Sequence, residues 1–332
     1  MKEYQIKRMD DEDVLILGGM GAIGSNIAHS MVRLGAKVTI FDNMMEGTGA
    51  NPANIKEIKD KIKFVKGDIR DFEELKKVIK NKRIIYNCAA QVSHVLSMEN
   101  PFLDIDINCR GQINVLECCR RCNDSAKIVY TGTRSQFGIP QMNPLTEECI
   151  DSPVDVYSAN KLASELYHLI YYNAYGIKAT SLRMTNTYGP RAQMRNPTYN
   201  FVNWLIAKAI MNEELTVFEP GTQVRDLNYV DNAIDAIILA SQNERTSGEV
   251  YLVGSGNGIS IIELAKIIVE IAKSGKVKIV PYPKNRKSAE VGDVVIDYSK
   301  IKKATGWFPK TSIREGIKKT INFYRKRFNE YF

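Results

Sequence analysis

Val14-Leu15-Ile16-Leu17-Gly18-Gly19-Met20-Gly21-Ala22-Ile23-Gly24 is the stretch that decides the fold. Four consecutive apolar residues read as a strand buried on both faces, and the glycines end it in a tight turn. Ile23, Ile27, Met31 and Leu34 then recur at helical spacing until Gly35 stops the helix. A bare-backbone turn that opens a helix makes a phosphate cradle. The glycines let a pyrophosphate approach the main chain, and the helix N-terminus offers N–H groups and the positive end of its dipole. Gly18, Gly21, Ala22, Ile23 and Gly24 are the contacts this predicts.

The same rhythm continues outward. A second strand over 37–41 ends at Asp42, and a third over 62–65 leads into Gly67-Asp68 and a helix over 72–79. Strands over 84–88 and 127–130 follow, with a long helix over 105–122 between them. Apolar strands alternating with helices predict an α/β fold, a Rossmann-type doubly wound parallel sheet. Asp42 lies eighteen residues beyond Gly24, where the adenosine ribose of a dinucleotide falls. Its carboxylate would repel a 2′-phosphate, so NAD is expected rather than NADP. After about residue 185, Pro190, Pro197, Pro220 and Gly221 break the pattern into shorter pieces, such as 200–211 and 249–253. The expected division is a dinucleotide-binding domain over 1–185, to which some later segments return, and a smaller mixed lobe over 186–332.

Composition excludes several classes. The chain has 332 residues, 44% apolar and 25% charged, which rules out disordered and collagen-like proteins. No stretch approaches the roughly 20 apolar residues of a membrane span, and residues 1–13 are too polar for a secretory signal. The cytoplasm is the expected compartment, with no membrane partner. The net charge of +8 comes from basic residues interleaved with acids. The dense tail of Lys318, Lys319, Arg325, Lys326 and Arg327 reads as a solvated helix face, so no nucleic-acid partner is expected. A positive field does favour an anionic small substrate. Six cysteines without a secretion signal read as reduced thiols, and Cys118, Cys119 and Cys122 as small buried residues on a helix. His29, His94 and His168 lack metal-site spacing and read as packing or surface residues, so no metal is expected.

Tyr157 and Lys161 stand four apart on a predicted helix, one turn apart on one face. A free tyrosine titrates near pH ~10, and a neighbouring ammonium would favour its phenolate. The pair can then exchange a proton with a substrate hydroxyl during hydride transfer. Thr131-Gly132-Thr133 closes the preceding strand at the edge where doubly wound sheets bind ligands. Thr133 is placed to share an oxygen with Tyr157.

The glycine spacing, the Tyr157/Lys161 pair, Gly67-Asp68-Ile69-Arg70-Asp71, Cys88-Ala89-Ala90-Gln91, Asn108 with Gly111, 182–191, 224–231, Asp297-Tyr298-Ser299-Lys300 and Gly306-Trp307 together carry a resemblance. From about Val14 onward the chain resembles the extended short-chain dehydrogenase/reductases, in particular the NAD-dependent nucleotide-sugar epimerase/dehydratase family. That resemblance implies cofactor contacts from Asp42, Asn43, Asp68, Ile69, Ala89, Ala90, Gln91, Asn108, Thr131, Met184, Tyr157 and Lys161. For a nucleotide-diphosphate sugar it implies contacts from Gln91, Thr133, Arg134, Asn186, Arg191, Asn200, Arg225 and Asp293, and it implies a homodimer formed through the 105–122 and Tyr157 helices. The apolar stripe through Leu162, Leu166, Leu169 and Ile170 is otherwise explained by core packing.

The resemblance also bears on the reaction. Where 4,6-dehydratases of the family carry Asp-Glu after this threonine, the chain has Arg134-Ser135, which speaks against dehydration. The UDP-glucose 4-epimerase branch is the nearest in kind, with Thr133, Tyr157 and Lys161 as its catalytic residues. A C4 dehydrogenase, a C2 epimerase and a non-catalytic dinucleotide sensor are the alternatives. Three departures leave the sugar open. Gln136-Phe137 replaces Val-Tyr. Glu290 stands where an arginine often completes the diphosphate clamp, which Arg286, Lys287 or Arg191 would then supply. Arg134 beside the sugar suits an anionic substituent.

Overall fold

A computed structural model describes residues 3–281 and 292–332 of the chain. The strands are β1 (Asp13–Leu17), β2 (Lys37–Asp42), β3 (Ile62–Lys66), β4 (Ile84–Asn87), β5 (Lys127–Thr133), β6 (Ala179–Met184), β7 (Asn186–Tyr188), β8 (Glu214–Phe218), β9 (Val224–Tyr229), β10 (Val250–Val253), β11 (Gly258–Ser260) and β12 (Lys276–Val280). The helices are α1 (Ala22–Arg33), α2 (Phe72–Ile79), α3 (His94–Glu99), α4 (Pro101–Ile105), α5 (Gly111–Cys122), α6 (Val156–Tyr175), α7 (Phe201–Ile210), α8 (Val230–Ser241), α9 (Ile261–Ala272), α10 (Ser299–Thr305), α11 (Ile313–Arg325) and α12 (Phe328–Tyr331).

Seven parallel strands form the main sheet in the order β10-β6-β5-β4-β1-β2-β3. The order reverses between β1 and β4, the position at which doubly wound sheets open a crevice at their carboxyl edge. Both faces are covered, and the period-2 alternation of the strands shows it. Val14, Ile16, Ile40, Tyr86 and Val129 belong to the core on one side; Leu15, Leu17, Phe41, Ile85 and Ile128 belong to the core on the other. β10 reaches this sheet from beyond residue 185 and pairs with β6. The later residues also build a three-stranded sheet (β11-β9-β7) and a two-stranded one (β12-β8).

The helix expected over 105–122 begins earlier and is not uniform. Asn100 caps α4 by accepting the Leu103 N–H at 3.1 Å, Pro101 occupies the first turn, and Asp106–Arg110 forms a wide π turn before α5. All six cysteines are free. No helix among the described residues is long and apolar enough to cross a membrane.

Candidate active site

The glycine turn is shaped by contacts that exclude side chains. Gly18 has φ +72°, and a Cβ on it would lie 2.8 Å from the backbone of Cys88 and Ala89. A Cβ on Gly24 would lie 2.4 Å from the Gly18 carbonyl oxygen and 2.7 Å from Gly19 Cα, so α1 packs directly on the turn. Gly21 differs. It is the N-cap of α1, has no side chain to cap the helix, and a Cβ there would meet only the Gly18 oxygen at 3.5 Å. The first-turn N–H groups of α1 therefore face an open concavity without a side-chain acceptor, the donor set a pyrophosphate needs.

Asp42 closes β2 at the edge of this concavity. Its carboxylate accepts the N–H groups of Met20 (2.9 Å) and Met44 (2.8 Å), tying the glycine turn to the end of β2. Burial raises its pKa, and the two N–H donors oppose that rise. Beside it, Asn43 donates to Asp68 at 2.8 Å and Arg70 pairs with Asp68 at 2.7 Å. Burial alone would raise the Asp68 pKa, but Arg70 and Asn43 hold it at about 2. Gly21–Gly24, Asp42, Asn43, Asp68, Ile69, Ala89, Ala90 and Thr131 all line one cleft of about 320 Å³, which runs on to Tyr157, Lys161 and Met184.

A second pocket of about 220 Å³ continues from it, lined by Thr133, Arg134, Ser135, Asn186 and Asn200 among others. Tyr157, Thr133, Met184 and Asn200 belong to both, so the tyrosine stands where the two spaces meet. The helix that carries it starts at Asp155, whose carboxylate accepts the Ser158 N–H at 2.8 Å. Further along α6, Glu165 and the neighbouring Asp151 clamp Arg183 of β6, with closest contacts of 2.6 Å each. This buried network fixes the helix against the sheet.

The electrostatics depart from the sequence expectation. Lys161 donates to the Thr131 carbonyl at 2.7 Å and lies 4.1 Å from the centre of the Tyr130 ring. Burial lowers its pKa to about 7. Burial also raises the Tyr157 phenol, and a hydrogen bond with Thr133 opposes it. In the protein alone, then, desolvation outweighs the depression of the phenol predicted from a neighbouring ammonium.

Other predicted residues have different surroundings. The Gln91 side chain turns inward, donating to Asp104 (2.6 Å) and to the Ser93 carbonyl (2.9 Å). Asn108 clamps the residue 91 backbone, accepting its N–H at 3.1 Å and donating to its carbonyl at 2.9 Å. Arg191 donates to Asn26 of α1 at 2.8 Å and lies over the Phe323 ring. Arg225 donates to the Gly292 carbonyl at 2.7 Å, and Asp293 accepts the Val224 N–H at 2.8 Å. None of these five lines the two pockets. Asn200 does, although its side chain also caps α7 and donates to the Thr187 carbonyl at 2.9 Å. Glu290, Arg286 and Lys287 lie outside the described residues.

Sequence reasoning missed Thr185, Thr187 and Tyr199, which line both spaces, and it treated His94 as a packing or surface residue. His94 lines the second pocket, its Nδ1 lies 2.6 Å from Asp155, and its ring meets Tyr157 edge-on at 4.8 Å. Nothing in its local spacing marks this, because Asp155 is sixty-one residues away. His168 stacks on Tyr130 and His29 bonds to the Asn54 carbonyl at 2.9 Å; both are packing residues. The described residues hold no cluster of His, Cys, Asp or Glu suited to a metal ion.

A dinucleotide-shaped cleft meeting a second pocket at a tyrosine, on a doubly wound sheet, is the plan of the extended short-chain dehydrogenase/reductases. Comparison with known families is more specific. Residues 15–320 match the family described as GDP-mannose 4,6 dehydratase, and the chain belongs to it, among the nucleotide-sugar epimerases and dehydratases. It is 33% identical to a putative UDP-glucose 4-epimerase of Methanocaldococcus jannaschii, over 94% of this chain and 98% of that one. Among solved structures it is similar to a UDP-glucose 4-epimerase with UDP-glucose from Thermotoga maritima (TM-score 0.87, 28% identity, 95% and 99% of the two chains). It is also similar to a dTDP-glucose 4,6-dehydratase from Bacillus anthracis in complex with NAD (TM-score 0.84, 26% identity, 96% and 98%).

Proposed function

We propose that the chain is an NAD-dependent epimerase acting at C4 of a nucleotide-diphosphate hexose. The observation that carries this reading is the position of Tyr157, shared by the cofactor cleft and the second pocket. The cleft suits NAD: α1 offers uncapped N–H groups over Gly21, and the Asp42 carboxylate stands where a 2′-phosphate would be repelled. Bound NAD supplies the acceptor and later the donor of the C4 hydride. Tyr157 takes the proton of the C4 hydroxyl and returns it after the keto sugar has turned over. Thr133 holds the same oxygen, and Lys161 supplies positive charge from one turn along α6. The second pocket takes the sugar and its diphosphate, with Thr133, Arg134, Asn186 and Asn200 on its walls.

The sequence after β5 favours epimerisation over dehydration. Arg134-Ser135 offers no carboxylate acid–base pair to eliminate water, although dehydratases occur among the structural neighbours. The test is proton NMR of UDP-, GDP-, CDP- and dTDP-sugars with the purified protein and no added cofactor. Conversion at C4 without net NADH supports an epimerase. Stoichiometric NADH would support the C4 dehydrogenase instead, and a changed C2 proton the C2 epimerase.

We also infer a homodimer in the cytoplasm. Phe102, Ile105 and Ile113 over 101–122, and Leu166 and Ile170 on α6, are exposed apolar side chains on the two helices that the family resemblance implies as the pairing face. Light scattering reads this directly: the wild type should run as a dimer and Phe102→Glu with Ile170→Glu as a monomer, a monomeric wild type overturns the dimer, and a variant that stays dimeric overturns these helices as its interface.

A further inference from the structure

Asp104, in α4, is a fully buried acid to which the reaction above gives no task. It gathers three side-chain amides. Gln91 donates to one carboxylate oxygen at 2.6 Å, and Asn108 and Asn160 donate to the other at 3.1 and 2.8 Å. The main chain fixes which way two of these amides point. The Asn108 oxygen accepts the Gln91 N–H at 3.1 Å and the Gln91 oxygen accepts the Ser93 N–H, so both NH2 groups are left for Asp104. Every contact is one that a carboxylate accepts, and none would receive a carboxyl proton. No Lys, Arg or His pairs with Asp104 among the described residues.

An interior negative charge without a partner is costly, and here a positive one lies close by but out of contact. Lys161 is buried on α6 beside Asn160, and its ammonium donates to the Thr131 carbonyl rather than to an acid. Two carboxylates favour its charged form, Glu165 and Asp104. Glu165 is already neutralised by Arg183 at 2.6 Å. Burial keeps the thiols of Cys88 and Cys109 neutral, and the His168 imidazole as well. On the Tyr157 side, Asp155 and Arg134 act on the phenol with opposite sign, and Asp104 acts with Asp155. Of the two carboxylates that act on Lys161, Asp104 is thus the one with no cation in contact.

We propose that Asp104 is a positioning residue for the reaction, tying the cofactor wall to the catalytic helix and balancing the charge of Lys161. The inference rests on the epimerase reading and adds a residue to it. Gln91 ends the run whose Ala89 and Ala90 line the cofactor cleft, and Asn160 precedes Lys161 on α6, so one carboxylate joins the two walls. Its charge favours the ammonium that Tyr157 needs beside it. Without that charge the Tyr157–Lys161 pair gives up each of its protons more easily, whichever residue releases it, and both steps of its titration move to lower pH. A carboxylate that only packed would lower stability or activity at every pH and leave the titration in place.

The test uses NAD-loaded protein and Asp104→Asn, which keeps the size of the side chain and removes its charge. Asp104→Ser, with room for a water, is the second charge-removing variant should the first not fold. NMR of protein carrying isotope-labelled lysine follows the Lys161 signal, assigned by its loss in Lys161→Met, with no substrate present. Its midpoint should fall by about 0.5–1 pH unit on loss of the charge. Both limbs of the kcat profile against pH should move the same way. Asn160→Leu cuts the tie to α6 and keeps the charge, so kcat should fall about tenfold with KM nearly unchanged and the Lys161 midpoint in place. An unmoved midpoint in the charge-removing variant, or undiminished kcat in Asn160→Leu, overturns the inference. The two readings fail separately. A lowered midpoint in a protein that turns over no nucleotide sugar would remove the epimerase and leave the charge balance; turnover with an unmoved midpoint would do the reverse.

Discussion

Replacing Lys161 by methionine should make the cofactor-free protein more stable while destroying its activity. Lys161 is buried, and burial takes its pKa from the ordinary lysine value of 10.5 to about 7. At pH 7 the unfolded chain is fully protonated there and the native chain only half so. By linkage this disfavours folding by about 4 kcal/mol relative to a neutral side chain of the same shape. Methionine removes that penalty. It also loses the 2.7 Å hydrogen bond to the Thr131 carbonyl and leaves that acceptor unpaired, worth about 1–3 kcal/mol. A net gain of about 2 kcal/mol remains, a rise in Tm of several degrees. The pH dependence is the sharper signature. Between pH 7 and 10.5 the unfolded state holds more protons than the native state, so wild-type stability rises with pH. The gap to Lys161→Met should narrow by about 2 kcal/mol between pH 7 and 9. Urea unfolding of both proteins at pH 7, 8 and 9 measures it. A variant no more stable than wild type at pH 7, or a gap that does not move with pH, refutes the reasoning.

Gly24→Ala would place a methyl group 2.4 Å from the Gly18 carbonyl oxygen; bound NAD, assayed by acid release, should fall at least tenfold, and full retention would contradict the cradle. Asp42→Ser removes the carboxylate that accepts the Met20 and Met44 N–H groups. The NAD-over-NADP preference, measured by fluorescence titration, should drop at least tenfold. Arg183→Met breaks the buried network with Glu165 and Asp151 and leaves both carboxylates uncompensated. Unfolding should cost about 3–5 kcal/mol less in denaturant melts, and a loss below 1 kcal/mol would show that the network is not what fixes α6.

What was legible in the sequence follows physical range. The glycine turn, Asp42 and the strand–helix alternation are local patterns; the main sheet and its doubly wound order emerge as expected, and Gly21 to Gly24 and Asp42 line one cleft. Tyr157 and Lys161 share a helix turn, so their pairing on one face is also local. The balance of charge around them is not. Whether the ammonium depresses the phenol depends on how deeply the fold buries both, and that comes from residues such as Thr131 and Tyr130 thirty positions earlier.

The same limit explains Gln91 and Asn108. Their motifs place them beside the cleft, but Asp104 draws the Gln91 amide inward and Asn108 spends its own amide on the residue 91 backbone. Arg191 is pulled to Asn26 on α1 rather than toward the pocket. His94 was illegible for the opposite reason, since its partner Asp155 arrives from another element. The π turn over Asp106–Arg110 likewise leaves no mark in an apolar pattern that reads as one continuous helix.

The most direct trial of the central claim is the fate of a C4 label. A nucleotide sugar that the protein turns over, deuterated at C4 and incubated without added NAD, should yield epimer with the deuterium still on C4, and Tyr157→Phe should yield none while keeping its cofactor. Deuterium washed into solvent, or undiminished turnover by Tyr157→Phe, would contradict hydride transfer assisted by this tyrosine.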